Sequence, residues 1–171
     1  MKGTNSPLFL YFKMNGKVKD LLEEALSLNE SLYLISFDIS SNNRIQIVVD
    51  GDNGVPLSEC MRISRNIEHN IDREEYDFSL EVSTPDIAHP IKVKRQYVKN
   101  INRILKVTTA EDSFEGSLVE ATNNEIVLKW KAREPKPIGK GKVTVEKTAT
   151  ILYTDIKAVS YTHLRAHETK P

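Results

Sequence analysis

Lys92, Lys94, Arg95, Lys99, Arg103 and Lys106 place six cations in 15 residues with no acid between them. Lys129, Lys131, Arg133, Lys136, Lys140 and Lys142 form a second set, interrupted only by Glu134. Tyr97 and Trp130 supply flat aromatic faces nearby in sequence. These residue types suit a polyanion. Each cation that meets a phosphate releases condensed counterions, so affinity falls as salt rises, and an aromatic ring offers a stacking surface to an unpaired base. Lys92, Lys94, Arg95, Lys99, Arg103, Lys106, Lys129, Lys131 and Arg133 are therefore the candidate contacts. Charge alone leaves two readings open, a nucleic-acid surface and an ordinary solvated one.

Chemistry that makes or breaks bonds finds no equivalent arrangement. The sequence has no G-x-x-x-x-G-K-[ST] or G-x-G-x-x-G phosphate loop. It has no H-E-x-x-H, C-x-x-C or G-x-S-x-G. His163 and His167 stand four apart, a spacing that could start a metal site on a helix, but only Glu168 is near them. Asp50-Gly51-Asp52-Asn53-Gly54 is similar to a calcium loop. Such a loop needs Gly at its sixth position and a bidentate Glu at its twelfth, where Val55 and Met61 stand, so it reads as a turn. Cys60 falls at a helix-core position and reads as packed and inert. The expectation is no catalytic residue, no metal and no cofactor.

The elements that must position the cations follow from the hydrophobic period. Val18, Leu21, Leu22, Ala25 and Leu26 share one face of a helix. Residues 32–39 and 45–49 alternate as strands around Asn42-Asn43, a hairpin. Leu57, Cys60, Met61, Ser64, Ile67 and Ile71 give a second amphipathic helix, with Ser58 as its N-cap. Phe78, Leu80 and Val82 give a third strand. The order is αββαβ. Pro85 and Pro90 bracket a stiff junction with Asp86 and His89 inside it. Residues 94–100 suit a short helix, and only strand signals follow, at 104–109, 114–119, 125–130 and 143–152, with residues 133–142 as a long basic loop. Short strands with hairpin turns indicate a small barrel. The fold class is α+β: an N-terminal αββαβ domain followed by a small SH3/Sm-like β-barrel. Its domains are 14–84, a junction at 85–90, and the barrel at 91–159. Met14 is expected as a start, leaving 1–13 as an upstream extension. Residues 160–171 lack either period and are expected to be a non-native tail.

The chain has 171 residues and zero net charge, which hides an asymmetry. Residues 1–82 hold 8 basic and 14 acidic side chains; residues 83–159 hold 14 basic and 9 acidic. Opposite signs suggest two modules with different partners. One cysteine excludes an internal disulfide and fits a reducing compartment. The longest apolar run, Leu8 to Phe12, is far short of a membrane span of about 18 residues, so no membrane association and a cytoplasmic location are expected.

Leu80-Glu81-Val82-Ser83-Thr84-Pro85 resembles the L-E-V-S-S-P strand of the bacterial ribosome maturation factor RimP family, which is followed there by G-L-D-R-P-L. Here Asp86 stands for Gly, Ala88 for Asp and His89 for Arg, and Pro90-Ile91 closes the element, as in the Bacteroidetes-like branch. Arg95-Gln96-Tyr97, Phe114-Glu115-Gly116-Ser117-Leu118 and Tyr153-Thr154-Asp155-Ile156-Lys157 match further, and the resemblance spans about residues 14–158. It implies a non-enzymatic, cytoplasmic assembly factor that binds the free small ribosomal subunit as a monomer, touching rRNA and a ribosomal protein. A histidine in place of the junction arginine would hold a phosphate only when protonated. The alternative is a general Sm-like RNA-binding module, which would associate in rings and bind single strands by stacking.

Overall fold

Ser6 and Pro7 open the first helix: the Ser6 hydroxyl accepts from the Phe9 N–H at 3.3 Å, and Pro7 occupies a first-turn position where its missing N–H costs nothing. The computed structural model describes residues 6–86 and 88–162. They fall into two compact units, one ending at Pro85 and the other beginning at Asp86.

The first unit runs α1 (Pro7–Ser27), β1 (Leu32–Ile39), β2 (Arg44–Gly51), α2 (Leu57–Asn70) and β3 (Ser79–Ser83), which is the αββαβ order. Its sheet has the order β1-β2-β3, with β1 antiparallel and β3 parallel to β2. Ile45, Ile47 and Val49 on the central strand are fully buried and alternate with the exposed Arg44 and Gln46 and the half-buried Val48, so this sheet has one apolar, buried face. Met14, Val18, Leu22 and Ala25 of α1 and Cys60, Ile63 and Ile67 of α2 join them in one cluster. Two side chains of α2 also bond carbonyls of α1: Arg62 Nη1 donates to Ala25 O at 2.9 Å and Asn66 Nδ2 to Leu21 O at 3.1 Å. The β1–β2 turn needs a positive φ, and Asn43 supplies it at 57°.

Two helix ends differ from the sequence reading. The first helix begins at Pro7 rather than after Met14. Leu8, Phe9 and Phe12 are exposed, so apolar residues there do not follow the period of the buried face, while Leu10 and Tyr11 pack against the core. Ser58 does not cap α2; Pro56 holds that position, and its carbonyl accepts from the Glu59 N–H.

The second unit runs α3 (Lys94–Lys99), β4 (Ile104–Thr109), β5 (Ser113–Ala121), β6 (Glu125–Pro135), β7 (Lys142–Leu152), a 3-10 turn (Tyr153–Asp155) and β8 (Ile156–Tyr161). All ladders are antiparallel, and the strand order is β7-β6-β5-β4-β8. β7 and β8 are thus the two edges, yet three residues join them. A flat sheet of five strands would hold its edges about 19 Å apart, and the four steps from Leu152 to Ile156 reach only about 14 Å. The sheet must therefore curl strongly. Leu105, Val107, Leu118, Ile126, Leu128, Ile151 and Val159 from all five strands fill the hollow, with Tyr97 and Ile91. Among the described residues no ladder joins β7 to β8, so the curl stops short of a closed barrel. Gly116 leaves no room for a side chain: a Cβ there would lie 2.8 Å from Lys129 O.

Two further expectations are corrected. The 133–142 segment is loop only over 136–141, because β6 runs to Pro135, whose register partner is Lys142. Charged residues alternate there as apolar ones do elsewhere, and a hydrophobic period does not register them. The last strand also passes position 159: Ser160 and Tyr161 pair with Lys106 and Leu105. The remainder of the expected tail, 163–171, and His163 and His167 with it, lie outside the described residues.

Candidate nucleic-acid interface

The fold divides the nine candidate cations into two groups. Lys106 on β4 and Lys129, Lys131 and Arg133 on β6 point to the outer face of the sheet, because their neighbours Leu105, Val107 and Leu128 point inward. That face is mixed in sign. Glu115 stands opposite Lys106, Glu146 stands opposite Lys131, and Lys129 Nζ lies 3.1 Å from Glu146. Lys147 pairs with Glu134 on the other face of the same hairpin. Exposed pairs of this kind contribute at most about 1 kcal/mol to stability, but they offset much of the positive potential a polyanion would meet.

The other group lies on α3 and its flanks. Lys94, Arg95 and Lys99 belong to the helix, Lys92 precedes it, and Arg103 sits in the turn that follows. Arg95 and Lys99, four residues apart, share one helix face. Lys92 and Arg103 are exposed with no carboxylate partner among the described residues. Lys94 is already engaged: its Nζ donates to Asn123 O at 2.9 Å and lies 5.0 Å from the Tyr153 ring centre.

What fixes this short helix is buried polar chemistry. Gln96 is 1% exposed, and its Oε1 accepts from the Lys92 N–H at 2.9 Å and the Val93 N–H at 3.0 Å. Asn100, also buried, donates from Nδ2 to Gln96 O at 2.5 Å and to the Tyr161 hydroxyl at 3.1 Å. The Ile91 N–H donates to Val159 O, which ties the approach to α3 onto β8.

That tie creates a groove the sequence does not announce. Its floor includes Ile91, Tyr97, Tyr153 and Ile156, and its rim Lys92, Lys94 and Lys157. No acid lines it. Tyr153 donates its hydroxyl to Thr122 O at 2.9 Å, and its ring meets that of Tyr97 at 5.2 Å. Burial, and then the neighbouring Tyr153, push the Tyr97 phenol up to about 12; burial also raises that of Tyr153. Both stay neutral. Lys157 and Tyr153 are the residues sequence reasoning missed. A neighbouring hollow lined by Glu111, Asp112 and Asp155 has the wrong sign for phosphate.

The aromatic expectations are corrected accordingly. Trp130 shares the inward face with Ile126 and Leu128 and packs 6.1 Å from Phe114, while Tyr97 is only 5% exposed. Tyr97 has no free face for a base, and Trp130 is half-buried against Phe114.

At the junction, Pro85 and Pro90 flank a turn that closes on itself. Asp86 Oδ1 accepts from the Ala88 N–H at 2.8 Å and the His89 N–H at 3.1 Å, and His89 Nδ1 lies 2.7 Å away. His89 is thus directed at Asp86 within the turn. The bond with His89, opposed by desolvation and aided by the Ala88 N–H, holds the Asp86 carboxyl below the ordinary aspartate value. The turn is therefore fully formed above the unfolded aspartate pKa and loosens as pH falls through the depressed value. An NMR titration should show the Ala88 amide moving with a midpoint below that of a free aspartate, and Asp86→Asn should flatten it.

No cluster of three metal-binding side chains exists among the described residues, and no described helix is long and apolar enough to cross a membrane. Cys60 is buried in the first core, and burial pushes its thiol up, away from the reactive thiolate.

Residues 20–88 match the family model of the RimP N-terminal domain. Proteins named ribosome maturation factor RimP are similar over most of their length. The one from Christiangramia forsetii is 56% identical over 140 residues, which cover 82% of this chain and 92% of that protein. The one from Flavobacterium psychrophilum is 48% identical over 141 residues, with the same coverage of 82% and 92%. The one from Porphyromonas gingivalis is 34% identical over 139 residues, or 80% of this chain and 90% of that protein.

Proposed function

The chain belongs to the ribosome maturation factor RimP family, and from that premise we propose that it assists assembly of the small ribosomal subunit by binding, without bond-breaking chemistry. The observation that carries this reading is the 56% identity across 92% of a relative bearing that name. In this reading the protein is cytoplasmic and monomeric, and it contacts rRNA and a ribosomal protein. The cationic second unit takes the rRNA, with Lys92, Lys94, Arg95, Lys99 and Arg103 as principal contacts and Lys106, Lys129, Lys131 and Arg133 as weaker ones. The first unit, acidic overall, faces basic partners. The residues at 85–90 join the two units, with Asp86 and His89 closing a turn among themselves.

Co-sedimentation with free small subunits at two salt concentrations tests it. Six phosphate contacts would cost about a thousandfold in affinity between 50 and 200 mM salt. Failure to bind immature small subunits at the lower salt, or turnover of a small molecule by the pure protein, overturns the reading.

One observation favours a second reading, a general Sm-like RNA-binding module. β7 and β8 are both edge strands, and a ladder between the β7 of one copy and the β8 of another would build a ring. Light scattering separates the two, since the assembly-factor reading expects a monomer.

A further inference from the structure

The groove between the approach to α3 and the start of β8 combines an apolar, aromatic floor with a rim of three lysines and no acid. We propose that it is a subsite for one unstacked nucleotide of single-stranded RNA, the base lying on Tyr153 and Ile156 and its phosphate between Lys92 and Lys157. The proposal rests on the reading of the second unit as the RNA-contacting one, and it adds Tyr153 and Lys157 as ligand-recognising residues.

Three features support it. The Tyr153 ring is pinned at its hydroxyl by Thr122 O and braced by Tyr97, so once the flexible Lys94 side chain over it moves aside, presenting a face to a base costs little further conformational entropy. Both phenols remain protonated and add no negative charge beside a phosphate. Lys92 and Lys157 have no carboxylate partner among the described residues, so their ammonium groups need not break an ion pair to meet an anion. A duplex would not fit this chemistry, because its bases are stacked on one another and only an unpaired base can lay a face against a side chain.

The test uses the full chain with labelled hexauridylate, hexaadenylate and a blunt RNA duplex of equal charge, at 50 mM salt. Lys92→Ala/Lys157→Ala is expected to weaken both single strands about tenfold or more and to leave the duplex within about twofold. Tyr153→Leu should weaken single strands by about tenfold, and Tyr153→Phe, which keeps the ring, by less than about threefold. Ultraviolet cross-linking of hexauridylate should label the peptide containing Tyr153, which decides the matter even where Tyr153→Leu fails to fold. The proposal is overturned if the double lysine variant binds single strands as the parent does. With small-subunit binding intact, that result removes the groove and leaves the assembly-factor reading standing; loss of subunit binding with single-strand affinity intact assigns the groove to a protein partner. Failure of the parent to bind any RNA or subunit removes both proposals together.

Discussion

Reversing Arg95, Lys99 and Arg103 to glutamate is expected to lower affinity for free small ribosomal subunits by about 100-fold, whereas reversing Lys129, Lys131 and Arg133 lowers it by about tenfold or less. The smaller effect on β6 follows from the acid its cations already face. On β6, Lys129 is paired with Glu146, which also stands opposite Lys131 in the ladder, so two of those three cations are already partly neutralised. Arg95 and Lys99 lie on one face of α3 and Arg103 in the turn beyond it, within a stretch whose sequence contains no acid from 92 to 106. Lys94 is left intact because its ammonium already bonds Asn123 O and covers Tyr153; its loss would mix a structural effect with an electrostatic one. Each lost phosphate contact removes about one unit from the slope of log affinity against log salt, so the first variant should lose about three units of slope. Sedimentation across a salt series measures both quantities, and melting curves confirm that each variant is folded. A larger loss on reversing the β6 row would move the ribosome contact to the outer sheet face.

The split between these two sets was beyond the reach of sequence, although the cations themselves were evident. Their spacing shows how many there are, but the sign of a surface depends on which acids the ladder brings opposite them. Glu146 and Lys129 are far apart in the chain and meet only because β6 and β7, each 11 residues long, form one hairpin. The αββαβ order was legible because Ile45, Ile47 and Val49 alternate on a sheet with one buried face, and because α1 and α2 each carry a stripe of apolar residues. The first turns of α1 were not, since exposed Leu8, Phe9 and Phe12 blur that stripe. Trp130 did carry a signal: it alternates with Ile126 and Leu128, two fully buried residues, and so had to face inward. Tyr153 and Lys157 carried none. Their value depends on β8 adding beside β4, the first strand of its sheet, which places residues 153–159 against the approach to α3.

Gln96→Leu is expected to destabilise the second unit by about 2–4 kcal/mol, although leucine is apolar and the site is buried. Gln96 Oε1 is the acceptor for two successive backbone N–H groups, those of Lys92 and Val93, just where the chain enters α3. Val93 has no side-chain acceptor with which to cap the helix, so the glutamine alone fills that role. Removing the acceptor leaves both donors without a partner, each at about 1–3 kcal/mol, and the gain from burying a few apolar atoms does not offset that. For a unit of this size each kcal/mol moves the melting temperature by about 4–8 °C, so a fall of roughly 10–25 °C should appear in calorimetry. Gln96→Glu provides the contrasting case. It keeps an acceptor in place but confines a charge among buried groups, and so it should recover part of the loss at acid pH, where the carboxyl is neutral, and little at neutral pH. Hydrogen exchange would locate the damage: protection should drop first at Lys92, Val93 and Asn100, the groups joined through Gln96 and onward to Tyr161 on β8. Because the same segment carries Lys92 and borders Tyr153, loosening it should also weaken RNA binding before the sheet itself unfolds. A variant that melts like the parent would mean that water replaces the glutamine, and that α3 is held by Tyr97 and Ile91 packing rather than by its buried polar chain.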